Sequence, residues 1–390
     1  MRVIHVITRL IVGGAQENTV ASVLGFVNHS GWETQLISGP AKGKEGSLES
    51  KFERIPDRLT LLPELVRPIH PWKDWLARRR LAQIFRAQRP DIVHTHSGKA
   101  GFLGRLAAAR ANVPIIIHTI HGPSFGPFQG ALANALFRSA EQRAGKLTSH
   151  FVVVANAMSR QYLAAGIGQP SQYTKIASGF QIEPFLAATR DPALRRKWGI
   201  APADIVVGKV ARLFKLKGHD DLFRIAPELI RVRPQIKFLL VGDGAWRERF
   251  EQSARELRLE KHFIFTGLVP PEEVPQLIGM MDILVHLSLR EGLPRALPQA
   301  LAAARPVIAY DCDGANEVCL DNETGFLLQP GDLKGLVDRL TRLADDVELR
   351  EQFGRRGQLL VRDQFAVERM VNDLEALYLR LAAEKGIQPK

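Results

Sequence analysis

A chain of 390 residues with 45% apolar and 24% charged residues is long enough for two or three globular domains with full cores. No apolar run approaches the ~18 residues of a membrane-spanning helix, and the short, interrupted apolar run at the start predicts no secretion signal. The only cysteines, Cys312 and Cys319, exclude a disulfide framework and a zinc-binding cysteine cluster, so we expect free thiols in a reducing cytoplasm.

Positive charge is concentrated in the first half of the chain. Residues 1–185 contain 22 Lys and Arg against 11 Asp and Glu, whereas residues 186–390 contain 31 against 30, so the first half carries nearly all of the net charge of +12. A basic half indicates an anionic partner: nucleic acid, anionic lipid head groups or a phosphorylated acceptor. We expect no nucleic-acid partner, because no aromatic residues alternate with the basic ones and no known nucleic-acid-binding module is present.

In the first half, six buried-strand patterns alternate with helix patterns, which is typical of a doubly wound parallel sheet. The stretch from residue 40 to 70 is rich in Pro, Gly and charge and is predicted to be a loop. The predicted strands cover residues 3–7, 33–38, 91–96, 114–119, 150–155 and 173–177.

Small or polar residues follow three of these strands, at the sheet edge where ligands bind in open parallel sheets. Gly13-Gly14 separates the first strand from a helix, which is typical of a phosphate-cradling turn but also of a plain tight turn. His96 ends another strand, and Lys99 opens the next helix, where a cation favours contact with phosphate. His121 lies between a strand and a glycine, and the residues leave open whether it is functional or structural.

Two spacings in the chain imitate metal sites. His94-x-His96 has no carboxylate or cysteine partner nearby. Asp311-Cys312-Asp313 follows a strand and resembles a carboxylate pair that holds a divalent ion, but nothing else near it favours a metal. We therefore expect no metal at either place.

A helix pattern covers residues 74–88, with apolar residues on one side and the basic residues Arg78–Arg80 and Arg86 on the other. The basic side is either a solvated face or a contact with an anionic membrane surface, which attracts each basic residue by about 1 kcal/mol. Membrane contact normally needs a second attachment, which the apolar Leu59–Leu65 with Trp72 would supply.

A second strand–helix series follows a connector at residues 178–200. We therefore predict two domains, 1–184 and 185–365, and a C-terminal helical segment, 366–390, that crosses back to the first domain. The predicted strands of the second series cover residues 205–211, 236–241, 263–266, 283–285, 307–309 and 325–328.

Cations follow the first strand of this second series. Arg212 and Lys217, with Gly218, lie where the strand passes into a helix whose positive end favours anions. Arg212 can bind an oxyanion in bidentate fashion, and Lys217 lies beside the glycine, so the loop is predicted to bind a diphosphate. A solvated basic turn is the alternative.

Another strand-to-helix connection carries a lone carboxylate, Glu291, followed by Gly292, Leu293 and Pro294. Backbone N–H groups at such a turn bind phosphate or hydroxyl oxygens, whereas a carboxylate repels phosphate. The combination favours a neutral, hydroxyl-rich group attached to a phosphate, such as a sugar. A helix start stabilised by a carboxylate is the alternative interpretation.

Five motifs occur in one order across nearly the whole chain: Gly13-Gly14, VHTHSGKAGFLGRLAA at 93–108, HTIHG at 118–122, VARLFKLKGHDDL at 210–222 and REGLPRALPQALA at 290–302. The ordered set strongly resembles the retaining glycosyltransferase family 4, in the branch that builds bacterial capsule, O-antigen and other lipid-linked glycans. The resemblance implies an α/β chain of the GT-B fold, with two Rossmann-like doubly wound domains facing across a cleft.

By this resemblance the chain is an enzyme, a metal-independent, retaining transferase of a hexosyl or N-acetylhexosaminyl group. The donor would be a UDP- or GDP-sugar on the second domain, and the acceptor a saccharide linked to a polyprenyl diphosphate on the first. No metal or other cofactor is expected. An anionic, lipid-linked acceptor would account for the basic first half, and it predicts a cytoplasmic protein bound peripherally to the inner face of the cytoplasmic membrane.

The resemblance also implies residue roles. Arg212 and Lys217 would hold the diphosphate and stabilise it as it leaves, and Glu291 would bind hydroxyls of the donor sugar. His121 would act with these three as a catalytic residue, next to the Gly13-Gly14 turn. The other expected contacts are Gly13, Gly14, Gly292, Leu293, Pro294 and Gln299 for the donor, and His96 and Lys99 for the acceptor or its phosphate.

One position departs from the family pattern. The family carries a second glutamate eight residues after the first, usually bound to ribose hydroxyls, and here that position is Gln299, preceded by Pro298. An amide still bonds a diol, so weaker nucleotide binding is expected, and Pro298 removes a helix donor unless it lies in the first turn. Two other functions stay open: a catalytically weakened nucleotide-sugar-binding or scaffold protein, and a sugar-nucleotide epimerase of the same fold.

Overall fold

The computed structural model describes four stretches of the chain, residues 1–27, 29–41, 46–126 and 128–388. The chain forms two compact units, Met1–Phe180 with Ala366–Lys390, and Gln181–Phe365. The chain first passes from one unit to the other after Phe180, a few residues before the predicted boundary at 184. Each unit is built around one parallel sheet with flanking helices, which confirms the α/β class.

The first sheet has seven strands in the order β3-β2-β1-β4-β5-β6-β7. Its central strands are continuous apolar or buried runs because helices cover both faces of the sheet. The strands are β1 Arg2–Ile7, β2 Glu33–Ser38, β3 Leu59–Leu61, β4 Ile92–His96, β5 Ile115–Ile120, β6 His150–Val153 and β7 Tyr173–Lys175. The helices between them are α1 Gly14–Gly25, α2 Pro71–Gln88, α3 Gly98–Arg110, α4 Ala131–Gly145 and α5 Asn156–Ala164.

The second sheet has six strands in the order β10-β9-β8-β11-β12-β13, the order of a Rossmann sheet. One core cluster joins its strands to the apolar faces of the helices. The strands are β8 Ile205–Val210, β9 Ile236–Val241, β10 Phe263–Gly267, β11 Ile283–His286, β12 Val307–Tyr310 and β13 Gly325–Leu328. The helices are α6 Glu183–Leu186, α7 Pro192–Lys197, α8 His219–Val232, α9 Arg247–Glu256, α10 Val274–Gly279, α11 Ala296–Ala302, α12 Leu333–Asp345 and α13 Val347–Val361.

The last helix, α14 Val367–Glu384, belongs to the first unit and packs on its sheet. A Cβ on Gly25 would lie 2.3 Å from Val371, so α1 and α14 approach closely because that position is glycine. Tyr378 on α14 also reaches the sheet, where its hydroxyl lies 2.5 Å from Nδ1 of His94. The helix therefore completes the core around β1, β4 and β5.

In each sheet the strand order reverses between two neighbouring strands, β1 and β4 in the first sheet and β8 and β11 in the second. The loops that leave these strands at their carboxyl ends lead to helices on opposite faces. Ligands of open parallel sheets bind at such reversal points. The predicted site residues lie in or beside these loops.

The predicted loop at residues 40–70 contains β3, so that part of the prediction was wrong. Three residues are too few to show an alternating strand pattern, yet β3 pairs with β2 in parallel register. Leu62 and Leu65 are buried, so they do not form the apolar membrane attachment expected there. Residues 42–45 of this stretch lie outside the described residues. Across the described chain, the helices are too short or too polar to cross a membrane.

Candidate active site

Two loops of the second unit meet at the reversal between β8 and β11. The β8–α8 loop, residues 211–218, forms a backbone hydrogen bond of 2.9 Å with the β11–α11 loop, residues 287–295. Gly218 has φ +70°, and a Cβ there would lie 2.0 Å from the carbonyl oxygen of Leu287. Only glycine therefore fits at this position, and its absence of a side chain lets the two loops touch.

The contact between these loops includes an ion pair. Nζ of Lys217 lies 2.5 Å from Oε1 of Glu291, and both side chains are about one-fifth exposed. Burial raises the pKa of the Glu291 carboxyl, but the charge of Lys217 and a hydrogen bond with His286 lower it by more. The pKa of Glu291 therefore lies below its usual value. Glu291 is therefore a carboxylate held between a cation and an imidazole.

Asp313 supports the Glu291 loop from the end of β12. Its carboxylate accepts a 2.7 Å hydrogen bond from the backbone N–H of Glu291, and Gly314 N–H donates to the carbonyl of Gly292 at 3.0 Å. Asp311 accepts from the amide of Asn316 at 3.0 Å. Both carboxylates of the Asp-Cys-Asp sequence thus accept hydrogen bonds within the chain, and Asp313 fixes the backbone that carries Glu291.

A group of buried polar side chains lies beneath the ion pair. Lys209 on β8, His219 at the start of α8, His286 on β11 and Ser288 are each at most 4% exposed. The side-chain nitrogen and oxygen atoms of Lys209, His219 and Ser288 have no hydrogen-bond partner among the described residues, whereas Nε2 of His286 lies 3.4 Å from Oε1 of Glu291. Burial and the nearby charge of Lys217 lower the pKa of Lys209 to about 7. The floor of this site is therefore polar and unusually poor in hydrogen bonds.

The remaining predicted donor contacts of the second unit lie on these two loops or on α11. Arg212 is exposed on the β8–α8 loop, before a helix whose N-terminal N–H groups attract anions. Gln299 is half-buried on α11, and Pro298 is the third residue of that helix. Pro298 therefore lies in the first turn and removes no helical hydrogen bond. Pro294 lies two residues before α11, in the loop that precedes the helix.

In the first unit, histidines line one face of the sheet beneath His121. His5 and His94 are paired across β1 and β4, and His96 follows on the same face. Nδ1 of His5 lies 2.9 Å from Nε2 of His96, and Nδ1 of His96 lies 3.0 Å from Nε2 of His121. His96 is 1% exposed, so it supports His121 from below and does not face a ligand itself.

His5, His94 and His96 are held in the neutral form at physiological pH. Burial lowers the pKa of His5 to about 3, and burial with the charges of neighbouring histidines keeps the pKa of His94 and His96 well below the usual value. His5, His94 and His96 are the one group in the described chain whose ligand atoms, within 4.8 Å of one another, could hold a metal. The nitrogens of His94 already bond Tyr378 and Thr119, and the other two rings bond each other.

The other predicted residues of the first unit lie at the same edge of the sheet. Gly13 precedes α1, which begins at Gly14, so the glycine pair forms the turn between β1 and α1. Lys99 lies in the first turn of α3, but its ammonium bonds Asp74 at 2.5 Å and the carbonyl of Pro68. Lys99 is therefore already paired, and a phosphate would have to compete with Asp74 for it.

Comparison with known families covers both units. Residues 14–178 match the glycosyl transferase 4-like domain, and residues 191–359 match the glycosyl transferases group 1. The chain belongs to glycosyltransferase family 4. The resemblance seen in the sequence is thereby confirmed.

Individual relatives of this glycosyltransferase match over most of their length. It is 27% identical over 332 residues to the Escherichia coli protein UDP-Gal:alpha-D-GlcNAc-diphosphoundecaprenol alpha-1,3-galactosyltransferase, with 84% of this chain and 85% of that protein covered. It is 23% identical over 358 residues to the capsular polysaccharide biosynthesis glycosyltransferase CapM of Staphylococcus aureus, with 90% and 91% covered. The fold resembles that of Anabaena HepE, solved in complex with UDP-glucose, with a TM-score of 0.81, 21% identity and 97% and 99% of the chains covered.

The sequence alone did not identify Lys209, His5 or His286 as residues of the candidate site, and it did not identify the role of Asp313. Lys209 carries a visible signal, because a lysine interrupts the apolar strand Ile205–Val210. His5 shows a weaker one, a polar residue within a buried strand. Asp313 could not be assigned as the support of Glu291, because the pairing of β11 with β12 is a tertiary feature.

Proposed function

We propose that this glycosyltransferase moves a sugar from a UDP- or GDP-sugar to a saccharide carried on a polyprenyl diphosphate, during synthesis of a cell-surface polysaccharide. The names of two relatives support this proposal, one for a UDP-galactose donor and a diphosphoundecaprenol-linked acceptor and one for capsular polysaccharide. The basic first half of the chain fits an anionic, lipid-linked acceptor.

The observation that carries the proposal is the ion pair between Lys217 and Glu291. A cation suits the diphosphate, and a carboxylate beside it suits the hydroxyls of the sugar that is bonded to that diphosphate. The strand reversal places both on touching loops. When a diphosphate binds Lys217, the ion pair between Lys217 and Glu291 breaks. The carboxylate of Glu291 then accepts hydrogen bonds from the sugar.

The expected chemistry follows from these roles. Lys217 and Arg212, with the N-terminus of α8, stabilise the charge that develops on the leaving diphosphate. The bond between the anomeric carbon and the diphosphate oxygen breaks, and the acceptor oxygen bonds that carbon from the same face. Because the acceptor bonds from the same face, the configuration is retained. The acceptor's proton passes to a phosphate oxygen, so this route requires neither a metal nor a carboxylate nucleophile. His121, held by His96, keeps the catalytic role that the family resemblance implies.

A membrane-facing surface is proposed around the start of α2. Ile69 is 66% exposed, Trp72 63% and Trp75 40%, and the two indole rings stack at 5.1 Å. Arg79 lies over the ring of Trp75, and Arg80 is also exposed. Apolar rings beside arginines suit the interface of an anionic bilayer, so the enzyme is proposed to bind peripherally to the inner face of the cytoplasmic membrane.

The experiment is a thermal-shift panel of UDP- and GDP-sugars with the purified chain, repeated in EDTA. Binding stabilises the native state by mass action, so the correct donor raises Tm, and EDTA leaves the rise unchanged. No response to any nucleotide sugar contradicts the proposal, and a response that EDTA abolishes contradicts metal independence.

A nucleotide-sugar-binding protein with weakened catalysis is the second candidate, because Gln299 stands where the family has a glutamate. Replacing Gln299→Glu separates the two. A working enzyme gains no more than a few-fold in turnover, whereas a gain of about 100-fold or more indicates a site that has lost its activity.

A further inference from the structure

Lys209 is a buried lysine without a hydrogen-bond partner. It lies on β8, next to the residue at which the β8–α8 loop begins, and is 1% exposed. Among the described residues, nothing accepts a hydrogen bond from its Nζ. Lysine is almost never fully buried without a partner, so its position calls for a role that a packed apolar side chain would not fill.

Lys209 interacts electrostatically with charged and titratable groups on four neighbouring elements of the site. These groups are Lys217 on the β8–α8 loop, His219 and Asp221 on α8, His286 on β11 and Glu291 on the β11–α11 loop.

Both nearby carboxylates already have partners. Asp221 accepts from the Tyr310 hydroxyl at 2.8 Å and from Arg224 at 3.0 Å, and Glu291 is paired with Lys217. With these pairs made, a second ammonium in the floor has no counter-ion of its own. Burial, followed by repulsion from Lys217, accordingly lowers the pKa of Lys209 to about 7.

We propose that Lys209 replaces Lys217 as the counter-ion of Glu291. Lys209 takes up a proton when the diphosphate of the donor binds Lys217. The proposal rests on the proposed function, because it needs a diphosphate at Lys217. Before binding, one cation balances one carboxylate and Lys209 is neutral above pH 7. After binding, Lys217 balances the diphosphate, and a proton that Lys209 takes up from solvent gives Glu291 a neighbouring positive charge again.

This exchange makes Lys209 a positioning residue that acts through Glu291. The protonated ammonium holds the carboxylate in its charged form and in place while Glu291 accepts bonds from the sugar. Donor binding is then coupled to proton uptake. Because the free enzyme must first be protonated, donor affinity falls as pH rises above 7, by up to about tenfold per pH unit.

Calorimetry of UDP-glucose binding in buffers of different ionisation enthalpy measures the protons taken up, with GDP-mannose as the second probe. The diphosphate of a nucleotide sugar does not titrate in this range, so uptake reports on the protein. At pH 8 the wild-type chain takes up a fraction approaching one proton per bound ligand, and at pH 6 close to none.

Three variants locate the proton. Lys209→Met abolishes uptake at pH 8, and Lys209→Arg, which keeps a permanent charge, restores binding without uptake and with an affinity that no longer depends on pH. Lys237→Met on the neighbouring strand β9, whose Nζ bonds the carbonyl of Lys261, behaves as wild type.

Binding without uptake at pH 8 in the wild type overturns the inference and leaves the proposed function intact. Uptake that persists in Lys209→Met overturns it as well, since another group then takes the proton. Failure of both nucleotide sugars to bind contradicts the proposed function and this inference together. The wild-type comparison between pH 6 and pH 8 decides the question even where a variant does not fold.

Discussion

At the scale of single residues, the site depends on groups that hold one another in place. Glu291 is bonded by Lys217 through its side chain and by Asp313 through its backbone N–H. In the first unit, His121 is bonded by His96, which is bonded by His5. Residues that are proposed to contact a ligand are thus oriented by neighbouring side chains before a ligand arrives.

Replacing Glu291→Gln separates diphosphate binding from sugar binding. The variant frees Lys217, so UDP binds as well as before or more tightly. Turnover of the nucleotide sugar falls by about 100-fold or more, because the carboxylate that bonds the sugar is lost. Calorimetry with UDP and an assay with the donor found in the panel measure the two effects.

Glu323→Gln, an exposed change in the same unit, is the matched control and leaves both quantities unchanged. Equal losses of UDP affinity and turnover in the Glu291 variant would contradict the assignment of Glu291 to the sugar.

At the scale of elements, α2 shows how one helix can serve two environments. Its Leu81 and Phe85 are buried in the core, whereas Trp72 and Trp75 at its start are exposed. A core contact anchors the helix, and the exposed rings are available for a membrane surface.

Removing both rings, Trp72→Ala with Trp75→Ala, reduces binding to vesicles that contain phosphatidylglycerol by about tenfold or more, because the apolar contact is lost. Raising the salt concentration to about 0.5 M releases the wild-type chain as well, because screening weakens the attraction of the arginines. Co-sedimentation with vesicles measures both.

The control for this pair is Leu359→Ala, a change at a 69% exposed residue of α13 in the other unit. Vesicle binding that survives loss of both indoles, or that is equal for neutral and anionic vesicles, rules out the proposed surface.

The sequence predicted the elements well where patterns were long and local. Strand patterns such as 33–38 and 236–241 agree with the structure, and the final helix, predicted within 366–390, covers Val367–Glu384, because their apolar spacing is visible in the sequence. The three residues of β3 were missed, because their place in the sheet depends on pairing with β2.

Site residues were predictable to the extent that they follow strands. Lys217 and Glu291 stand on strand-to-helix connections, so the sequence indicated both. It could not indicate that they bond each other, because that contact requires β8 and β11 to be neighbours. The sequence also could not indicate that His96 lies buried beneath His121, because that contact joins the ends of two different strands. It therefore predicted that His96 contacts the acceptor or its phosphate.

At the scale of the whole molecule, buried histidines link stability to pH. Burial holds the pKa of His5 near 3 and keeps the pKa of His94, His96 and His118 well below the usual value. The folded chain keeps these rings neutral, whereas the unfolded chain protonates them below about pH 6.5. Stability is therefore full above pH 6.5 and is lost as pH falls below it.

Urea unfolding between pH 7.5 and pH 4.5 measures this loss. Each histidine that stays neutral in the folded state contributes up to about 1.4 kcal/mol of lost stability per pH unit. We expect a steep fall in the free energy of unfolding below pH 6.5. A free energy that stays constant down to pH 4.5 would show that these rings are not held neutral.

The most direct test of the account is the affinity of the β8–α8 loop for a diphosphate. Isothermal calorimetry with the nucleotide sugar from the panel compares Lys217→Glu and Arg212→Glu with Lys215→Glu, an exposed change on the same loop. We predict that the Lys217 and Arg212 variants bind about 100-fold more weakly or worse, since a favourable contact becomes repulsion, and that the Lys215 variant stays within a few-fold of wild type. Equal affinities for all three variants and the wild-type chain would contradict the account.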